Sequence, residues 1–261
     1  MNFLGRRILI SLVKGDWSAA NGLQIFIGGE QMPFARLGLL GLFCFAVIGC
    51  GGSDPIDRST RTSLRTVVVS PDASNLDVHV DGSPLLVNAP YKTSTGFLSL
   101  DNGNRTLTVR ETGTSTPLVS TTALLQQNQR NTYVVVGKQG SLEALLVPNN
   151  TAAPALGQAK INLVHAAPDL GAVDIYITEP GGALDVGSRV ATNVAFKSVT
   201  GYLTRTSGNM QVRVTSTGTQ NVLFDSGTIL LQQGQVRTGL IVESGGGGAP
   251  YGLILLQDSD T

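Results

Sequence analysis

Apolar residues occupy every second position in two similar stretches of the chain, residues 76–80 (LDVHV) and 173–177 (VDIYI). Alternation with a period of two predicts β-strands that bury one face and expose the other to water. Before each stretch an apolar run ends in a Pro-Asp pair, once within residues 66–72 and once within 162–169. The pattern therefore predicts a β-structure that is built twice.

The spacing between equivalent residues locates an insertion in the second copy. Asp169 follows Asp72 by 97 positions, whereas Gly208 follows Gly103 by 105. The difference places eight extra residues within 178–191 of the second copy, where EPGGALDVGSR forms the visible loop. The two copies are therefore expected to match along their length except in this loop.

The repeat also sets the predicted domain boundaries. Residues 63–148 form the first domain and residues 160–261 the second, with a linker at 149–159 that contains proline. A short linker with proline is fairly stiff, and domains joined in this way share few contacts. We therefore predict that each copy folds independently.

Each copy holds about seven segments of strand length between Gly, Asn, Asp or Pro turns, and no segment predicts a helix. In the first copy the predicted strands are 64–69, 76–80, 85–87, 96–100, 105–111, 118–125 and 132–136, with 142–147 closing the domain. This rhythm is typical of an antiparallel β-sandwich or barrel. A solenoid is excluded because solenoid repeats are about 20–50 residues long, whereas equivalent residues here are 97 to 105 positions apart.

Residues 34–50 have the pattern of an export signal. Arg36 precedes an uncharged apolar run over 37–48, which is shorter than the about 20 residues that a membrane-spanning helix needs. The ending Val-Ile-Gly-Cys resembles the lipobox of bacterial lipoproteins, which predicts lipidation of Cys50. An uncleaved anchor and an ordinary secretory signal are the alternatives.

A signal peptide should begin the protein, which makes Met32 the better translation start. Residues 1–31 are then a mis-assigned leader, residues 32–49 the signal peptide and residues 50–62 a flexible tether. Cys44 lies inside the signal, so the mature chain would contain no disulfide. The expected location is the cell envelope, lipid-anchored in the outer membrane and facing the periplasm or the cell surface.

Charge and candidate chemistry change this picture little. The formal net charge is zero and 14% of residues are charged, so no basic face predicts nucleic-acid binding. The histidines, His79 and His165, fall at non-equivalent positions of the repeat, and His165 is interpreted as a partly buried strand residue. The glycines of 245–248 predict a flexible hairpin loop, because a phosphate-binding loop would need a following helix.

Several carboxylates could offer oxygen ligands to Ca²⁺. The weak candidates for a metal site are Asp72, Asp77, Asp169 and Asp174, to which Asp81 adds a further carboxylate. Turn chemistry is the stronger explanation of the Pro-Asp pairs, since Asp can cap its own turn through the backbone amides. Asp77 and Asp174 are expected on the solvent face of their strands. We therefore predict no metal, no cofactor and no catalytic residue.

The segment LVHAAPD at 163–169, followed by VDIYI at 173–177, resembles the bacterial family of domains of unknown function numbered 4397. The first copy departs from this motif, with Val68 in place of His165 and His79 in place of Tyr176. The resemblance implies Ig-like domains in tandem behind a lipoprotein signal, and it implies no particular reaction.

Together these patterns predict two tandem Ig-like antiparallel β-sandwich domains on a lipid anchor. The predicted function is a non-catalytic binding, adhesion or structural module with an envelope protein or glycan as partner, attached to the membrane through Cys50. The alternatives are an envelope hydrolase and a Ca²⁺-dependent binding protein, each with a site carried by loops.

Overall fold

The computed structural model describes residues 60–150 and 152–259, and these residues form an all-β structure. The prediction of an all-β fold is thereby confirmed. A single 3-10 turn lies at Gln139–Ser141. Nowhere in the described ranges is there a helix of the length and apolarity needed to cross a membrane. The predicted leader, signal peptide, Cys50 and most of the tether lie outside the described residues.

All eight strand segments predicted for the first copy coincide with strands of the structure. The strands of the first copy are β1 (Arg61–Val68), β2 (Leu76–Val80), β3 (Ser83–Ala89), β4 (Thr93–Ser94), β5 (Leu98–Asp101), β6 (Gly103–Glu111), β7 (Pro117–Leu125), β8 (Arg130–Val136) and β9 (Glu143–Asn149). Those of the second copy are β10 (Gln158–His165), β11 (Val173–Thr178), β12 (Arg189–Val194), β13 (Val199–Thr206), β14 (Gly208–Ser216), β15 (Val222–Leu231), β16 (Val236–Val242) and β17 (Gly252–Gln257).

Each copy divides its strands between two sheets, which we call the inner and the outer sheet. The inner sheet of the first copy has the order β4-β1-β8-β9, with β5 also paired to β1, and its outer sheet has the order β3-β2-β6-β7. The second copy repeats this arrangement with an inner sheet β13-β10-β16-β17 and an outer sheet β12-β11-β14-β15.

One pair of strands in each inner sheet is parallel. β1 runs parallel to β8, from Ser63 opposite Arg130 to Val68 opposite Val135, and β10 runs parallel to β16. The prediction of antiparallel pairing is wrong at these two places. A parallel pair needs a long crossover connection, and here the strands of the outer sheet supply it.

Each copy has a core between its own inner and outer sheet. The largest fully buried side chains of the first copy's core are Leu64, Leu76, Leu107, Leu125 and Tyr133. Those of the second copy's core are Ile161, Leu163, Ile175, Leu231 and Ile241. Burying one such side chain contributes about 1.5–3 kcal/mol, so each copy has a substantial core of its own.

A third core lies between the copies, and we call it the intercopy cluster. Its buried members are Val67, Val69, Val134, Val136 and Val147 from the first copy and Val164, Ala166, Leu240, Val242 and Leu256 from the second. These are the same positions of the repeat in both copies, and all belong to the inner sheets or the residues that directly follow their strands. The inner sheets are therefore buried on both faces.

The expectation that few contacts join the copies is accordingly wrong. Both copies belong to one compact unit. A buried ion pair lies beside the intercopy cluster, with Nη2 of Arg65 2.7 Å from Oδ1 of Asp258. Oδ2 of the same carboxylate accepts a hydrogen bond of 2.7 Å from the hydroxyl of Tyr202. The copies are thus joined by apolar burial and by buried polar contacts.

Candidate binding site

Asp77 on β2 and Asp174 on β11 occupy equivalent positions and each fixes the strand that follows. Oδ1 of Asp77 accepts the N–H of Asn88 at 2.7 Å, and Oδ1 of Asp174 accepts the N–H of Asn193 at 2.9 Å. Both asparagines have positive φ, 53° and 51°, so the carboxylates stabilise a backbone conformation that few residues adopt. The hydrogen bond from Asn88 holds the pKa of Asp77 below its usual value.

Asp174 also departs from its predicted surroundings. The expectation of a solvent-facing position is wrong for this residue, because its side chain is only 1% exposed. Gly218 donates its N–H to Oδ2 of Asp174 at 3.1 Å, and Arg189 lies 3.5 Å from the same oxygen. Asp174 is therefore a buried acceptor beneath loops of the second copy.

The two Pro-Asp pairs meet at one segment of the first copy. Asp72 accepts the backbone N–H of Gln139 at 3.0 Å, and Asp169 pairs with the ammonium group of Lys138 at 2.6 Å. The prediction that each Asp caps its own turn is therefore wrong, since both side chains reach past their own turns to this segment. Asp169 makes a contact between the copies.

His165 is fully buried rather than partly buried as predicted. Its Nε2 lies 2.8 Å from the carbonyl oxygen of Gly171, and its Nδ1 accepts a long hydrogen bond from the N–H of Ala167. Burial lowers the pKa of His165, which favours the neutral ring. His79 lies on β2 in the other copy, so the structure does not bring the histidines together.

The carboxylates considered as calcium ligands are dispersed. Asp81 caps the N–H of Thr106 at 2.9 Å and pairs with Arg105 at 3.0 Å, apart from the contacts of the other candidates. Across residues 60–150 and 152–259, no three His, Cys, Asp or Glu side chains are grouped so that they could hold a metal ion. The calcium alternative thus gains no support from the positions of these residues.

The glycine-rich segment 245–248 joins β16 to β17 as the predicted hairpin loop, and several hydrogen bonds hold it in place. Gly248 donates its N–H to Oε2 of Glu243 at 2.9 Å, while Oε1 of this buried glutamate accepts the N–H of Asp169. Gly246 donates to the carbonyl oxygen of Pro71 in the first copy at 2.7 Å. Sequence reasoning missed this role of Glu243, for which the only signal was a charged residue at the end of an apolar strand.

A pocket of about 380 Å³ lies where the insertion of the second copy folds against the turn between β14 and β15. The residues that give the pocket its chemistry are Tyr176, Leu184, Asp185, Val186, Arg189 and Gln220. The insertion supplies the middle four of these residues, and β11 supplies Tyr176. The sequence located the insertion but did not indicate a pocket.

Local hydrogen bonds fix the insertion in the shape that forms the pocket wall. Oδ1 of Asp185 accepts the N–H of Ser188 at 2.8 Å, and this bond holds the pKa of Asp185 below its usual value. The side-chain amide of Gln220 donates to the carbonyl oxygen of Leu184 at 2.9 Å, which ties the insertion to the turn. The pocket is therefore preformed by contacts within the second copy.

The first copy lacks the corresponding wall. There β2 and β3 are joined by Asp81 and Gly82 alone, and His79 stands at the position of Tyr176. Asp81 and Gly82 both have positive φ, 47° and 81°, as a tight two-residue hairpin turn requires. The pocket is thus a feature that distinguishes the second copy from the first.

Three solved structures show low similarity to this chain. A carbohydrate-binding module of family CBM26 from Eubacterium rectale Amy13K, solved with maltoheptaose, is 13% identical, with a TM-score of 0.24 and coverage of 75% of this chain and 96% of that one. The Bacillus anthracis TIE protein is 11% identical, with a TM-score of 0.24 and coverage of 71% and 34%. A leucine-rich repeat protein from Bacteroides thetaiotaomicron is 11% identical, with a TM-score of 0.22 and coverage of 72% and 27%.

No curated protein matches the sequence. A family model described as Domain of unknown function (DUF4397) matches residues 62–176. The matched segment contains the first copy and the opening of the second, including both Pro-Asp pairs, the first alternating strand and part of the second. The resemblance based on these motifs is confirmed for residues 62–176, the part of the chain that matches the family model.

Proposed function

We propose that this is a lipid-anchored cell-envelope protein whose two copies are tandem Ig-like β-sandwich domains and whose second copy carries a non-catalytic binding site. Lipidated Cys50 holds the chain in the outer membrane, facing the periplasm or the cell surface. The lipobox pattern supports the anchor. A separate core between two sheets in each copy supports the sandwich domains.

The observation that carries the proposal is the preformed pocket of the second copy. A binding site needs a concave surface with polar groups in fixed positions, and the insertion supplies both. Catalysis would need a nucleophile or base held against a reacting partner. His165, Asp174 and Glu243 instead bind backbone groups of their own protein, which favours a structural role for these residues.

Replacing Cys50 with alanine is expected to release the protein from membranes or to stall its processing. Acyl chains on Cys50 would anchor the chain, because each buried methylene contributes about 0.8 kcal/mol. Membrane fractionation after a high-salt wash measures the effect, and Cys44→Ala is the control because that residue lies within the signal. A Cys50→Ala protein that matures and stays with membranes would contradict the anchor.

Shortening the insertion is expected to abolish binding to envelope components while leaving the fold intact. Residues 178–187 are replaced by Asp-Gly, which reproduces the turn of the first copy and removes eight residues. Parent and shortened protein both carry Cys50→Ala in this assay, so that no acyl chain attaches them to membranes. Cosedimentation with isolated envelope fragments then measures binding, and recovery of the bound material unchanged distinguishes binding from hydrolysis. Equal sedimentation of the parent and a folded variant would contradict a site in this pocket.

A further inference from the structure

We propose that the pocket of the second copy binds a neutral, hydroxyl-rich sugar ring of an envelope glycan, an inference that rests on the proposed binding function and names its ligand class. The pocket has an apolar wall formed by Leu184 and Val186. Val186 is 80% exposed, so its side chain is available for contact with a ligand. The C–H groups on the face of a sugar ring would cover this wall.

The polar groups of the pocket have hydrogen-bonding capacity to spare. Tyr176 is 4% exposed, and its hydroxyl is the accessible tip of the ring, with no hydrogen bond from any of the described residues. The guanidinium of Arg189 has Asp174 as its one ionic partner within the described ranges. Gln220 donates its N–H group to Leu184, and its side-chain oxygen accepts no hydrogen bond from the described residues. Hydroxyls suit this mixture because they both donate and accept hydrogen bonds.

The charges around the pocket favour a neutral ligand. Asp174 lies 3.5 Å from Arg189, so its carboxylate balances the positive charge of the guanidinium within the protein. Asp185 adds a second carboxylate to the pocket lining. An anionic ligand would therefore meet no excess of positive charge, whereas neutral hydroxyls can donate to the carboxylate and accept from the guanidinium.

The size of the pocket limits the ligand to a short stretch of glycan. Its volume of about 380 Å³ lies at the lower end of small-molecule sites, which span about 300–1,000 Å³. One or two sugar rings at the end of a chain, or a single ring within one, fit this space. A longer glycan would have to contact residues outside the insertion.

The test is calorimetric titration of the full-length protein in detergent with neutral oligosaccharides of glucose, galactose, mannose and N-acetylglucosamine. At least one is expected to bind, and Tyr176→Phe and Gln220→Ala should each weaken its Kd about three- to tenfold. Tyr176→Phe removes a hydroxyl, and Gln220→Ala removes an amide that also ties the insertion to the turn. Ser115→Ala changes the equivalent turn position of the first copy and should leave the Kd unchanged. Gln220 is exposed, so its variant is expected to fold like the parent.

Uronic-acid oligosaccharides and a peptide pool are the competing probes. Preferential, salt-sensitive binding of the uronic acids would overturn the neutral ligand in favour of an anion on Arg189. Binding of peptides alone would overturn the glycan in favour of a protein partner. If no oligosaccharide binds while the Cys50→Ala protein still cosediments with envelope fragments, the sugar inference fails and the proposed binding function stands. If neither assay detects binding, both are overturned.

Discussion

Replacing Arg65 with methionine is expected to lower the free energy of unfolding by about 3–5 kcal/mol, because it leaves a buried carboxylate without its counter-ion. Arg65 is 4% exposed and Asp258 is fully buried, with 2.7 Å between Nη2 and Oδ1. Nη1 of Arg65 also donates to the carbonyl oxygen of Gln257 at 2.7 Å, so the variant loses this hydrogen bond as well. Denaturant titration followed by circular dichroism measures the loss.

Arg61→Met is the matched control, four positions earlier on the same strand. Arg61 pairs with Asp101, but their side chains are 36% and 63% exposed, so this variant should cost less than about 1 kcal/mol. A double variant, Arg65→Met with Asp258→Leu, should regain part of the stability because it removes both buried charges. Equal losses in Arg65→Met and Arg61→Met would show that the buried pair contributes no more than an exposed one.

The ion pair occurs only once because the two copies differ at the positions that form it. Asn162 stands in the second copy where the first has Arg65, and Asn149 ends β9 at the position where Asp258 follows β17. The intercopy cluster uses the same positions from both copies, as a self-complementary dimer interface does. Two first copies packed in this way would place Arg65 near Asn149 and leave its charge unpaired. The pair therefore favours association of a first copy with a second.

The strands of each copy could be predicted because their patterns are local. Alternation identified β2 within its observed bounds, and the Gly, Asn and Asp turns separated the remaining segments. The short strand β4 was missed because Thr93–Ser94 has neither the length nor the alternation that predicts a strand. Parallel pairing of β1 with β8 was missed because local pattern does not specify the direction of a distant partner.

The sequence contained a signal for the intercopy cluster, namely continuous apolar runs in strands that were predicted to bury one face only. The apolar run of β1 and the run Val134–Val136 in β8 do not alternate, and strands buried on both faces are typically continuous in this way. Val135 faces the core of the first copy, while Val134 faces the other copy. What covers the second face could not be predicted, since a run of this kind does not identify its partner.

The candidate pocket likewise combines a local feature that could be predicted with a distant contact that could not. The change in repeat spacing located the insertion, because it depends only on counting residues. The turn that carries Gln220 lies more than 30 positions later, and only folding places it against Leu184. The burial of Asp174 was missed because it also depends on distant residues. Arg189 and Gly218, which contact its carboxylate, belong to other elements.

Replacing Leu240 with aspartate is expected to lower the free energy of unfolding by more than about 4 kcal/mol and to separate the melting of the two copies. Leu240 is fully buried in the intercopy cluster, and a charge placed there would have no solvent. Its neighbour Ile241 faces the core of the second copy, which the substitution leaves in place. The parent should therefore melt in one transition and the variant in two.

Leu230→Asp is the matched control, because Leu230 belongs to the same copy but is 56% exposed on β15. The free energy of unfolding of that variant should lie within about 0.5 kcal/mol of the parent's, as is usual for surface substitutions. Differential scanning calorimetry distinguishes one transition from two, and tryptic digestion below the second transition should release one copy before the other. If Leu240→Asp instead melts in a single transition like Leu230→Asp, the copies do not depend on the intercopy cluster for their cooperativity. Two transitions already in the parent would show that apolar burial between the inner sheets is too weak to couple two cores that are each complete.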